Sequence, residues 1–190
     1  DLNSILFLLT PAETLTKMQT LVAQIALFEK HIKQDSLLKD VLPTVYKNNE
    51  DRYKGYTIRQ LCQEMHDFYK DRQVSTLQER LFLHDYFPEY VLNPQDANFE
   101  FQRGKGELVP LDEAEGRIAL EGALPYPPGV LCVQPGERWS KTACDYFLAL
   151  QEGINKLPGF APEIQGVYIT PQPDGTKKAY GYVLKKEFEK

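Results

Sequence analysis

Cysteine and histidine are scarce in this sequence, three of each in 190 residues, and neither falls into a pattern. Cys62, Cys132 and Cys144 are odd in number and include no Cys-x-x-Cys pair. Neither a disulfide framework nor a zinc knuckle is encoded, and reduced thiols are the ordinary reading. His66 falls mid-helix beside Asp67, with no second histidine or cysteine at the i+3 or i+4 spacing of a helical metal site. His31 and His84, the latter beside Asp85, are expected at helix ends, where an imidazolium suits the dipole. No metal site is expected. The Walker-type glycine-lysine loop and the GxGxxG fingerprint are missing as well. "RGKGE" (103–107) reads as a helix end and turn, and "DEAEG" (112–116) as a solvated acidic loop. No run approaches the roughly 20 apolar residues that span a bilayer. The N-terminus lacks a basic region and a small-residue cleavage site, so no signal peptide is expected, and the compartment predicted is cytoplasmic. A net charge of −5 disfavours nucleic acid or an anionic membrane as partner.

What is present is an ordinary globular composition, 42 % hydrophobic and 26 % charged, generous in aromatics with eleven Tyr and ten Phe. "SILFLL" (4–9) is a short apolar run suited to a strand covered on both faces. Thr10, Pro11 and Glu13 then predict a capped helix start, followed by Leu15, Met18, Val22, Ile25 and Ile32 at helical spacing. A buried strand feeding a helix is normally part of a larger sheet, so the opening reads as a segment of a bigger protein, its apolar face at Ile5, Phe7 and Leu9 left bare. "LPTVYKNNEDRYKGYT" (42–57) breaks the pattern. Thr57 and Gln60 form a second capping box, with Ile58, Leu61, Met65 and Phe68 on one face of a helix to about Asp71. A third helix is predicted over 75–86, stopped by Pro88, and a fourth from Asn93-Pro94 to Gly104. The chain then shifts toward strands over 116–133. Ala143, Phe147, Leu150, Ile154 and Leu157 mark an amphipathic helix ended by Pro158-Gly159. The tail holds two β-rich runs around Asp174-Gly175, a hairpin signal. The class predicted is α+β, with a weak boundary near residue 105.

"GALPYPPGVLCVQPGERW" (122–139) is the most constrained stretch, with four prolines and three glycines. Leu124, Tyr126 and Pro127 each precede a proline and are pushed to extended geometry. Pro127-Pro128-Gly129 should form a stiff corner, and Tyr126-Pro127 is a candidate cis bond. "VLCV" (130–133) reads as a short buried strand. Glu137 is expected near the start of the next helix, where a carboxylate meets free backbone N–H groups. Tyr126 and Glu137 are the candidates for substrate contact, and scaffolding is the competing reading. Cys132, in an apolar strand, and Cys144, inside a helix, read as unactivated thiols, which argues against a cysteine hydrolase.

Three signatures carry a resemblance. "ALPYPPGVLCVQPGE" (123–137) with "LQEGINKLPGFAPEIQGVYI" (150–169) resembles the C-terminal part of bacterial ornithine/lysine/arginine decarboxylases, pyridoxal-phosphate enzymes of the aspartate-aminotransferase fold type. "DLNSILFLLTPAET" (1–14) is similar to the end of that family's small catalytic subdomain, and "GYTIRQLCQEMHDFYKDR" (55–72) to its helical linker. The resemblance implies three regions: 1–50, a strand-helix remnant of the small subdomain; 51–105, a helical linker region; and 106–190, a C-terminal α+β domain with a β-hairpin. "PGFAPEIQGVY" (158–168) is similar to the ornithine branch; the lysine and arginine branches read closer to PGFETDIHG there.

The implied parent is an ornithine decarboxylase that releases CO2 and putrescine. In this family the coenzyme forms a Schiff base with a lysine that follows a histidine, and an aspartate pairs with its pyridine nitrogen. Neither has a counterpart here, since His31 is followed by Ile32 and no His-Lys dipeptide occurs. The coenzyme is the electron sink of the reaction, so the chain alone is expected to be inert, with no catalytic and no cofactor-binding residue. Its implied partners are the rest of the decarboxylase chain, the homo-oligomer that family members form, and an amino-acid substrate. A buried acidic group should meet the substrate's distal ammonium. Glu137, Glu121 and a residue upstream are the alternatives. Tyr126, Glu137 and Glu121 are thus the substrate-entrance candidates. A free-standing partner-binding or regulatory module of the same fold is the alternative reading.

Overall fold

The computed structural model describes residues 5, 7, 9–126 and 129–189. It falls into two compact units, up to Phe68 and from Tyr69 onward.

In the first unit, Ser4, Leu6 and Leu8 of the expected strand lie outside the described residues. Ile5, Phe7 and Leu9 are 80, 48 and 61 % exposed. Helix α1 (Leu15–Gln34) starts later than predicted. Thr10 does not cap it, because the Glu13 N–H closes a turn on the Thr10 carbonyl (3.0 Å), and Thr14 Oγ1 accepts from the Lys17 N–H instead. Leu15, Val22, Ile25 and Phe28 stay exposed, so no α1 residue is buried within the described chain. Asp35 in the left-handed region ends the helix, where His31 Nδ1 meets Ser36 Oγ at 3.0 Å.

Pro43 and Asn49 cut the following segment into three short helices, α2 (Leu38–Val41), α3 (Pro43–Asn48) and α4 (Glu50–Tyr53). Leu38 and Tyr53 are fully buried at their ends. Helix α5 (Ile58–Asp71) opens on the predicted capping box: the Thr57 N–H donates to Gln60 Oε1 (3.0 Å) and the Gln60 N–H to Thr57 Oγ1 (3.3 Å). Ile58, Leu61 and Phe68 are its buried face. Glu64 of α5 accepts from Arg52 Nη2 (2.6 Å) and from the Tyr56 hydroxyl (3.0 Å), closing the unit's half-buried ion pair.

In the second unit, helix α6 (Val74–Arg80) ends earlier than the predicted helix over 75–86. Leu83 turns to extended backbone (φ −95°, ψ 134°), and only a 3-10 turn, His84–Tyr86, precedes Pro88. His84 therefore sits in an exposed turn and not at an α-helix end. Nothing in residues 81–83 breaks a helix by propensity, which is why sequence reading ran it on to the proline. Helix α7 (Pro94–Gln102) is capped by Asn93 Oδ1, which accepts from the Asp96 N–H (2.9 Å), and Gly104 at φ +73° releases the chain into β1 (Gly106–Pro110).

After a 3-10 turn at Leu111–Glu113, where Asp112 pairs with Lys178 (3.1 Å), come β2 (Leu124–Tyr126), α8 (Lys141–Lys156), β3 (Glu163–Gln165), β4 (Tyr168–Pro171) and β5 (Lys177–Leu184). All pairings are antiparallel. β5 is the middle strand of the order β1-β5-β4, and β2 pairs with β3. The predicted hairpin is β4–β5, closed by Asp174 Oδ1 accepting from the Thr176 N–H and hydroxyl, with Gly175 at φ +85°. The apolar stripe of α8 (Ala143, Phe147, Leu150, Ile154) is buried, with Leu157 just past its end. Ser140 Oγ caps α8 at the Ala143 N–H (3.2 Å). Trp139 meets Phe147 edge to face (5.8 Å between ring centroids). A second cluster gathers Ala97, Ile118, Leu120 and Leu184.

Candidate functional site

The proline-rich stretch is built on two tight backbone approaches and one glycine packed against a ring. Gly166 (φ +72°) passes so close to Gly122 that a Cβ there would lie 2.0 Å from the Gly122 carbonyl oxygen. Gly136 (φ +91°) is pressed equally close to Leu92, whose carbonyl a Cβ would meet at 2.1 Å. Gly129 (φ +85°) lies against the ring of Tyr126, with a Cβ position 3.1 Å from Cδ2. Only glycine fits at Gly166 and Gly136, since the positive φ and the lack of a side chain are needed together, whereas at Gly129 the positive φ alone favours glycine.

Pro127 and Pro128, and with them the candidate cis bond, lie outside the described residues. The expected strand at 130–133 does not form. Ala123 makes a single bridge to Val133, while Val130 and Leu131 remain exposed and Cys132 and Val133 turn inward. The ladder cannot extend because Ala123 alone serves this segment, giving its N–H to the Val133 carbonyl and taking the Cys132 N–H.

The three candidates have separate partners, and among the described residues no hydrogen bond joins any two of them. Tyr126 is half exposed at the end of β2, opposite Glu163. Glu121 Oε2 accepts from the Tyr168 hydroxyl at 2.7 Å, and Tyr168 packs edge-on to Tyr182 (5.3 Å). Glu137 does not reach the start of α8, which Ser140 caps. Its carboxylate turns back and accepts from the Gln134 N–H at 2.7 Å. Burial raises the Glu137 pKa, and the Gln134 N–H works against that shift. The Glu137 backbone is zipped into place too, as the Ala119 N–H donates to its carbonyl (2.8 Å) and Gly136 donates to Ala119 (2.7 Å).

Sequence reading missed the charges that hold this turn. Arg117 donates to Glu107 Oε1 (2.6 Å), Glu189 Oε1 (3.0 Å) and the Leu184 carbonyl (2.7 Å). Arg138 donates to Glu89 Oε2 (3.0 Å), the Gly116 carbonyl (2.8 Å) and Glu189 Oε2 (3.5 Å). The partners are up to 72 positions apart, and no local pattern signals them. A cleft of about 410 Å³ lies elsewhere in this unit, lined by Arg72, Leu77, Arg80, Asp145, Leu148 and Glu152. Most of its charges have partners, Arg72 paired to Glu152 and Asp145 to Lys141, while Arg80 lies over the Tyr86 ring.

The described residues do not fit a coenzyme-tethering site. Such a site needs a desolvated amine, and no described lysine is buried. Asp145 and Asp112, which accept hydrogen bonds from the Lys141 and Lys178 ammonium groups, raise the pKa of each lysine above its ordinary value. Burial pushes the Cys132 and Cys144 thiols up to about 12, which keeps them un-ionised. Among the described residues no cluster of three metal-ligating side chains occurs, and no helix is long and apolar enough to cross a membrane.

The profile described as "Orn/Lys/Arg decarboxylase, C-terminal domain" matches residues 75–185, and the chain belongs to that family. Among curated relatives, an ornithine decarboxylase of Haemophilus influenzae is 78 % identical over 97 % of this chain, and an inducible ornithine decarboxylase of Escherichia coli is 60 % identical over 97 %. The chain spans about a quarter of their lengths, 26 % and 25 %. The solved structure of lysine decarboxylase A from Pseudomonas aeruginosa superposes with a TM-score of 0.83 at 31 % identity, covering 92 % of this chain and 23 % of that one.

Proposed function

We propose that this chain is the C-terminal portion of a pyridoxal-phosphate-dependent ornithine decarboxylase, a cytoplasmic homo-oligomer that converts L-ornithine to putrescine and CO2. The observation that carries the reading is the identity gap: 78 % and 60 % to ornithine decarboxylases against 31 % to a lysine decarboxylase of the same fold. In this reading residues 1–50 are the strand-helix end of an aminotransferase-type small subdomain, and the uncovered apolar residues of α1 pack against the rest of that polypeptide. Residues 51–105 are its helical linker region, and residues 106–190 form its C-terminal domain.

The coenzyme belongs to the rest of the parent, where it supplies the electron sink. The role of this portion is structural: it rigidifies an interface and lines one side of the substrate entrance, with Tyr126 and Glu121 toward the entrance and Glu137 anchoring the turn beneath them. The exposure of Tyr126 and the inward turn of Glu137 support that division.

The test is CO2 release from labelled substrates. The full-length enzyme should favour ornithine over lysine by at least about a hundredfold in kcat/KM, on the scale by which one extra methylene and a misplaced ammonium are rejected. The 190-residue chain with added pyridoxal phosphate should release none above background. Preference for lysine, or turnover by the chain alone, would overturn the proposal.

A further inference from the structure

Glu189 follows the last 3-10 turn (Lys186–Phe188), remote in sequence from the proline-rich corner. Two contacts fix the segment that carries it. Lys185 Nζ donates to the Gly104 carbonyl (3.0 Å), and Lys105 Nζ lies over the Phe188 ring (5.0 Å). The Glu189 carboxylate then stands between two guanidinium groups, Arg117 on Oε1 and Arg138 on Oε2. The three side chains are only 12, 29 and 19 % exposed for Arg117, Arg138 and Glu189, so solvent screens this bridge less than a surface pair.

Each arginine also reaches the corner through its backbone. The Trp139 N–H donates to the Arg117 carbonyl (2.9 Å), the Arg138 N–H to Glu89 (2.9 Å), and Arg138 bridges Ile118. Arg138 directly follows Glu137, whose carboxylate closes the 134–137 turn. Take away Glu189 and each arginine keeps a private carboxylate, Glu107 or Glu89, but the two guanidinium groups lose the acceptor they share, and only backbone bonds and the Arg138 contact to the Gly116 carbonyl still join the two segments.

From this geometry we propose that Glu189 is a positioning residue, clamping Arg117 to Arg138 and so fixing the 134–137 turn that supports the entrance side of the corner. The proposal rests on the reading of that corner as a wall of the substrate entrance. It also places the far end of the β5 segment in control of a feature about fifty positions upstream, as the Arg138–Glu189 pair spans 51.

The experiment uses the full-length enzyme with Glu189→Gln and Glu189→Asp, followed by hydrogen exchange and steady-state kinetics. Glu189→Gln should speed amide exchange across 134–139 by about fivefold or more while β5 keeps its protection. Glu189→Asp, which retains the charge, should restore at least half of that protection. KM for ornithine should rise about three- to tenfold in Glu189→Gln, with kcat within twofold, as expected for a misplaced binding wall. Unchanged exchange at 134–139, or equal loss of protection throughout β5, would overturn the clamp. Faster local exchange with an unmoved KM keeps the clamp and removes the entrance reading, so the two fail separately. Arg138→Lys, which keeps the charge but not the fork, gives a second variant with the same expected direction.

Discussion

The hydroxyl of Tyr168 donates to Glu121 Oε2 across 2.7 Å, tying the first residue of β4 to the loop that enters the proline-rich corner. Losing the phenolic proton would set two negative charges face to face. The Glu121 hydrogen bond, aided by burial, pushes the Tyr168 pKa up to about 12 from the usual 10.0. The unfolded chain therefore gives up this proton first as pH rises. The contribution to stability is complete below about pH 10 and is lost as pH climbs through about 12. A phenolate absorbance titration, differenced against Tyr168→Phe, should show this residue ionising near 12. In Glu121→Gln it should fall back toward 10. A Tyr168 titration near 10 in the unaltered protein would show that the pair does not form.

Two glycines with similar backbone angles should behave very differently. Gly136→Ala would place a methyl 2.1 Å from the Leu92 carbonyl oxygen, whereas Gly175→Ala, at φ +85°, meets nothing within 4 Å. Backbone strain alone should cost Gly175→Ala about 1–2 kcal/mol. Gly136→Ala adds a clash that only a shift of the 91–92 segment can relieve, for a total above about 3 kcal/mol. Urea unfolding followed by the fluorescence of the single tryptophan, Trp139, measures both. Equal losses would mean that the turn moves aside freely.

Thiol chemistry offers a third check. Cys62 is exposed on α5, its thiol only nudged upward by partial burial, while Cys132 and Cys144 are buried with thiols pushed up to about 12. Treating the folded 190-residue chain with a chromogenic disulfide at pH 8 should release one equivalent per chain promptly. The other two should appear only on denaturation. Rapid release of three would place Cys132 and Cys144 at the surface.

Local signals proved dependable where a few neighbouring residues settle the outcome. The Thr57/Gln60 box, the Asn93 cap, the apolar stripe of α8 and the Asp174-Gly175 turn each close within four residues or repeat at a fixed period. Thr10 failed because Thr14 offered an equally good cap at the start of the apolar pattern. The strand at 130–133 failed because an apolar run says nothing about whether a partner backbone is free to pair. The sheet order and the Arg117–Glu189–Arg138 bridge were out of reach for the same reason. They join positions separated by dozens of residues, and no periodicity marks them. Of the site candidates, Tyr126 and Glu121 stand where a surface role is open to them. Glu137 is drawn inward by an N–H that only the folded turn presents.

The central place of β5 has a consequence for how this unit is made. Its register with β1 runs from Gly106 opposite Leu184 to Pro110 opposite Tyr180, pairings 78 and 70 positions apart by subtraction. The hairpin with β4 closes over a few residues and can assemble by itself, but β1 must wait for it. A growing chain halted before residue 177 would hold Trp139, Leu111 and Ile118 without their cover. Synthesis must run through β5 before this core is covered and shielded from proteases and aggregation.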